Sequence, residues 1–133
     1  MDEKRWDVLV RALALLYAAA LLSIVALADV GTLGPLVRGL HAVPMGDKVA
    51  HLVLATMLGY LAAAFPGAPR LSIGSMRIPI AVPFVVLVAT LEEISQQFIP
   101  GRTYDLRDLA ADFLGIAIGT ALALRRARAA AGH

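Results

Sequence analysis

Three short stretches hold most of the groups in this sequence that can move protons, bind anions or hold a cation. They are Asp47-Lys48-x-x-His51, then Glu92-Glu93-x-x-Gln96-Gln97 with Arg102 soon after, then Asp105-x-x-Asp108-x-x-x-Asp112. Residues three or four apart share one helical face. Asp47, Lys48 and His51 can therefore act together, as can Glu93, Gln96 and Gln97, while the three aspartates form one acidic stripe. His51 or Glu93 suits general acid–base work. Lys48, His51 and Arg102 suit charge-assisted bonds to a phosphate or carboxylate. His51, Glu93, Asp105, Asp108 and Asp112 offer N and O donors of the kind that hold Zn²⁺, Mn²⁺ or Mg²⁺.

Other chemistry is excluded or weakened by what the chain lacks. It has no cysteine, so thiolate catalysis and disulfides are ruled out. Ser95 has no histidine at a spacing diagnostic of a serine triad, and no nucleotide-binding loop is present. A metal is disfavoured because Lys48 and Arg102 lie beside the acids and only one imidazole belongs to the set. His41 and His133 fall outside it by spacing. Neither a metal nor a cofactor is expected.

Each candidate also has a structural use. Asp47 suits an N-cap, Asp105 and Asp108 complement a helix dipole, and Lys48 and Arg107 can snorkel to headgroups. Glu93 and Gln96 exceed those needs, since they sit at a helix carboxyl end, where an acid is unfavourable. Glu92 and Glu93 lie about 100° apart on a helix, so only one of them can point squarely inward.

The elements that position these groups follow from hydropathy. Of 133 residues, 59% are hydrophobic and 17% charged, and mean hydropathy is +0.77. A soluble domain of this length needs more charge to solvate its surface. Four apolar segments stand out, at about residues 8–28, 48–65, 79–98 and 106–124. Each approaches the roughly 20 residues that a spanning helix needs, and lipid admits only helices or closed barrels. Alternating short strands are absent. The expected fold is all-α, an integral membrane four-helix bundle forming one domain over residues 1–133. Gly31 to Gly46, Pro66 to Pro79 and Pro100-Gly101 are read as loops, and Pro83 as a bend in the third segment. Lys4, Arg5, Arg11 and Ala26-Leu27-Ala28 give the first segment some marks of a secretory signal peptide, but its apolar run is long for that purpose.

Orientation follows from the basic residues. With four crossings, Lys4, Arg5, Arg11, Arg70, Arg77, Arg125, Arg126 and Arg128 share one side, and Arg38, Lys48, Arg102 and Arg107 the other. Both termini are therefore expected in the cytoplasm and all three chemical stretches at the outer level of a plasma membrane. Charged groups in a membrane face the interior or a wet cavity, so a polar pocket opening outward between the last three segments is expected. The basic tail is a topology signal touching anionic lipid, and no nucleic-acid partner is required.

These residues resemble a known family. Asp47-Lys48-x-x-His51, Glu93-x-x-Gln96, Pro100-Gly101-Arg102, Asp108 and Gly115-x-x-x-Gly119 are similar to the motifs of the VanZ-like family, named after a teicoplanin-resistance determinant. The resemblance runs from about Gly46 to Gly119. Asp112 stands where the family usually has Asn. The resemblance implies a plasma-membrane protein linked to glycopeptide (teicoplanin) tolerance or cell-envelope homeostasis, but no particular reaction. Candidate catalytic or ligand-binding residues are Asp47, Lys48, His51, Glu93, Gln96, Arg102, Asp105 and Asp108, flanked by Glu92 and Asp112. Three activities fit the set. The pocket could bind an anionic envelope lipid or lipid-linked cell-wall precursor, act on such a lipid as an enzyme, or couple proton or ion flow to transport. Gly115 and Gly119 make a groove for close helix approach, either within the bundle against Gly59 with Ala55 or Ala63, or between copies in an oligomer.

Overall fold

The computed structural model describes residues 2–132. Five helices and one β-hairpin make up the described chain. They run α1 (Glu3–Asp29), α2 (Gly34–Ala42), α3 (Gly46–Ala64), β1 (Arg70–Ile73), β2 (Met76–Pro79), α4 (Ala81–Gln96) and α5 (Leu106–Ala131). The mostly helical expectation holds, with differences that have local causes.

The segment after α1 is not an open loop. Pro35 near the start of α2 supplies a preset φ at a position whose N–H has no intrahelical partner. The short helix ends where Met45 turns the chain at φ 61° into α3. The second expected loop contains an antiparallel hairpin pairing Arg70 with Pro79 through Ile73 with Met76. Gly74, at φ +59°, provides the left-handed turn that a two-residue hairpin loop needs. Pro83 does not break α4: it lies in the first turn, where a missing N–H removes no intrahelical bond. The fourth segment runs past Leu124 to Ala131, so the basic tail forms the last turns of α5.

α3 and α5 form the central pair, and small residues set their distance. A Cβ on Gly115 would lie 2.6 Å from the Leu52 carbonyl oxygen, and one on Gly59 would lie 2.5 Å from the Ile116 oxygen. A Cβ on Gly119 would overlap the carbonyl of Thr56. Close backbone approach of this kind is how helices associate when burial against lipid tails gives no advantage. The Gly115-x-x-x-Gly119 groove is thus filled from within the chain by the backbone and small side chains of α3 around Ala55 and Thr56. Ala55, Ala62, Ala63, Val82, Ile116 and Ala123 complete a core of mainly small side chains.

α1 packs more loosely. The Tyr17 hydroxyl donates to the Leu54 carbonyl of α3 at 2.8 Å, and Val10 is the buried residue of the helix. Among the described helices, α1 alone is long and apolar enough by itself to cross a membrane. Its most apolar 18 residues have a mean hydropathy of 2.3, and 6% of that window is buried. α3 and α5 begin with ionisable turns, and α4 has only 16 residues, about 24 Å at 1.5 Å per residue.

The ends of the helices converge in two groups. At one end the Arg126 guanidinium lies 4.3 Å over the Trp6 ring and donates to the Tyr60 hydroxyl at 3.2 Å. This joins the start of α1 to the ends of α3 and α5. At the other end meet the end of α1, α2, the start of α3, the end of α4 and the start of α5.

Candidate functional site

All the candidate residues collect at that second end, yet they separate into two arrangements. The first is built around Lys48, in the opening turn of α3. Its ammonium donates to Asp47 Oδ2 at 2.7 Å, Asp105 Oδ2 at 2.8 Å and Asp108 Oδ1 at 2.9 Å. An ammonium has three donors, so this one is fully committed. Asp105 is the N-cap of α5, and its Oδ1 accepts the Arg107 N–H at 2.8 Å. The Lys48 ammonium, with the Arg107 N–H in support, holds the Asp105 carboxyl below the usual carboxylate range. This knot ties the start of α3 to the start of α5.

The second arrangement lies one turn deeper. His51 Nδ1 meets Asp112 Oδ1 at 3.0 Å, a pairing between successive turns of α3 and α5. Glu93, fully buried, accepts the Asp105 N–H on Oε1 at 2.8 Å and the Gln96 side-chain amide on Oε2 at 3.1 Å. The same amide donates to both Glu92 oxygens at 3.0 Å. Gln96 therefore resolves the competition between neighbouring glutamates: both face inward, joined through one amide. Glu92 also accepts from Arg102 Nη2 at 3.3 Å.

Two participants were not legible as such. Asp29, the last residue of α1, has its Oδ1 3.7 Å from Arg102 Nε. His41, on α2, has Nε2 3.7 Å from Asp47 Oδ2, although spacing excluded it from the set. Each sits at the same end of the bundle, and that topological level was the available signal. In the other direction, Gln97 does not join: it is exposed, and its side-chain amide bonds the Ile94 carbonyl of its own helix at 2.9 Å. Arg107 is exposed as well. His133 lies outside the described residues.

A cavity of about 570 Å³ opens beside the second arrangement, between α1, α2, α3 and α4. Most of its wall is aliphatic, including Leu21, Val25, Leu54, Leu58 and Val88. Its polar end is formed by His41, Asp47, His51, Glu92, Gln96, Arg102 and Asp112. Lys48, Asp105 and Asp108 do not line it. The cluster expected as one pocket is thus a pocket and a knot that meet at Asp47.

Charge differs between the two as well. Lys48 serves three aspartates, and Arg102 serves Glu92 and approaches Asp29. Neither cation pairs with Glu93 or Asp112; Asp112 instead meets the imidazole of His51. His51, Glu93 and Asp112 each offer one ligand atom, and these atoms lie within 4.8 Å of one another.

No match was found among curated proteins or solved structures. A family model described as VanZ/LLP1 does match, over residues 8–127. That range takes in nearly the whole chain and every residue of both polar arrangements, and on it the chain belongs to the VanZ/LLP1 family.

Proposed function

We propose that this protein is a multi-pass plasma-membrane protein that holds an envelope lipid, with the lipid chain in the aliphatic cavity and its headgroup at the polar end. α1, α3, α4 and α5 cross the membrane and both termini are cytoplasmic. Apolar side chains exposed around the bundle support this: Leu16 is 68% exposed, Val53 61%, Phe84 63% and Leu114 55%. Such a belt is costly in water and ordinary in lipid. Exposed Ile80 and Phe98 extend it beyond the short α4 at both ends.

The single observation that carries the reading is a 570 Å³ aliphatic cavity closed by His51, Glu92, Gln96, Arg102 and Asp112. Ligand sites are commonly apolar chambers with a few convergent polar groups. The saturated Lys48 moves the phosphate role to Arg102 and His51. The carboxylates on the cavity wall favour a headgroup rich in hydroxyl donors, such as a lipid-linked sugar. The resemblance to the VanZ-like family supports a role in glycopeptide tolerance or envelope homeostasis.

A second reading has its own support. The His51–Asp112 pair at 3.0 Å has the form of an oriented base beside a buried acid, which suits acid–base chemistry on a bound lipid. Both readings share one test. Protein purified from membranes in mild detergent should carry a co-purifying amphiphile detectable by mass spectrometry, and Ala28→Trp, which fills the cavity from α1, should strip it. Equal lipid content in wild type and Ala28→Trp would end the cavity reading. Release of a chemically altered lipid by wild type, lost in His51→Ala, would select the enzyme.

A further inference from the structure

We infer that His51, Glu93 and Asp112 form a site for one first-row divalent cation, with zinc preferred. The inference stands on these three side chains alone and does not depend on a lipid occupying the cavity.

Two arguments weigh against a metal in the sequence: nearby cations would neutralise the acids, and donors are few. The structure removes the first. Lys48 is held by Asp47, Asp105 and Asp108, and Arg102 is directed to Glu92 and Asp29. Among the described residues no lysine or arginine pairs with Glu93 or Asp112. Glu93 is 0% exposed and Asp112 8%. Two buried carboxylates without a fixed counter-charge are costly unless a proton or a cation compensates them.

The geometry favours a cation. Three ligand atoms from three helices lie within 4.8 Å of one another. One pair, His51 Nδ1 and Asp112 Oδ1, is 3.0 Å apart. Neighbouring ligands on a tetrahedral ion with bonds of about 2.0–2.2 Å stand about 3.3–3.6 Å apart, so this pair would have to open by a few tenths of an ångström. Glu93 is already oriented by the Asp105 N–H and the Gln96 amide, the kind of outer support that fixes a ligating carboxylate. One imidazole nitrogen with two carboxylates suits zinc or manganese better than magnesium or calcium, which prefer all-oxygen sets. The cavity borders His51 and Asp112, which leaves a side from which water or a headgroup oxygen completes the coordination.

The test uses the full chain in detergent, stripped with a chelator, with any purification tag removed and zinc added alone. Retention of one zinc per chain through gel filtration is expected, undisplaced by excess magnesium. His51→Ala and Asp112→Asn should each lower zinc affinity at least about 10-fold, and Gln96→Ala, which removes an outer bond to Glu93 but no ligand atom, should lower it about 10–100-fold. Less than stoichiometric zinc in wild type, or unchanged affinity in His51→Ala and Asp112→Asn, overturns the site. Should those two variants fail to insert, the double variant His41→Ala/His133→Ala decides, because it leaves His51 as the sole histidine. Retention of one zinc and of a cobalt-substituted absorption spectrum in that variant supports the site, and loss of either overturns it.

Discussion

The Lys48 knot and the His51 face both join α3 to α5 through acidic groups about one turn apart, the face drawing in Glu93 and Gln96 from α4 as well, and they differ in how their charge is balanced. The knot has a cation for its carboxylates: Lys48 reaches three aspartates at 2.7–2.9 Å. The face places Glu93 and Asp112 against a single histidine. Ionisable groups gathered at the helix ends of a bundle become structure when an opposing charge of fixed sign saturates them. They stay open to a proton, an ion or a substrate when none does. The cavity follows this division in part, touching His51 and Asp112 of the face and only Asp47 of the knot.

The largest expected effect tests the knot. Lys48→Ala strands three aspartates that share one ammonium, leaving three carboxylates facing one another without a counter-charge. We expect little inserted protein on a membrane immunoblot, with partial recovery in Lys48→Ala/Asp105→Asn/Asp108→Asn. Abundant Lys48→Ala protein that is merely inactive would place Lys48 on the functional side and break the comparison.

Arg102→Ala should fall between the two classes, since Arg102 serves Glu92 and Asp29 but also lines the cavity. A moderate loss of abundance with a larger loss of function is expected, read as protein per membrane mass against teicoplanin susceptibility of the same cells. Wild-type susceptibility at reduced abundance would make it a structural pair only.

Asp112→Asn should leave abundance near wild type, because it removes one buried charge while keeping a hydrogen-bonding group beside His51, whereas His51→Ala strands Glu93 and Asp112 and should lower abundance; both should abolish the envelope phenotype. Asp112→Asn is the sharper of the two, since it preserves shape and hydrogen bonding while removing the carboxylate. A fully functional Asp112→Asn would leave His51 and Glu93 to act without it.

The smallest effect belongs to Gln97→Ala. Its side chain is exposed and bonds only the Ile94 carbonyl, so both abundance and function should stay within error of wild type. A clear phenotype would show that the polar end extends beyond the face drawn here.

Much of this molecule was readable from local pattern. Apolar runs long enough to be helices, punctuated by proline and glycine, located α1, α3, α4 and α5 and placed every candidate residue at one level. Small-residue spacing identified the α3–α5 groove, because close approach depends on side-chain size at positions four apart. The hairpin was also encoded, in Leu71 and Ile73 alternating with polar residues before Gly74-Ser75, but the surrounding prolines and glycines read as loop. Other features were not local. Asp29 and His41 enter the polar end only because α1 and α2 fold back against α3. The split of one acidic cluster into a knot and an open face depends on which carboxylate each cation reaches. Sequence spacing fixes the height and face of a side chain on its own helix. Only tertiary structure decides which charge stands opposite it, because that pairing is set by the distance and rotation between helices, and here glycines 59, 115 and 119 set both for α3 and α5.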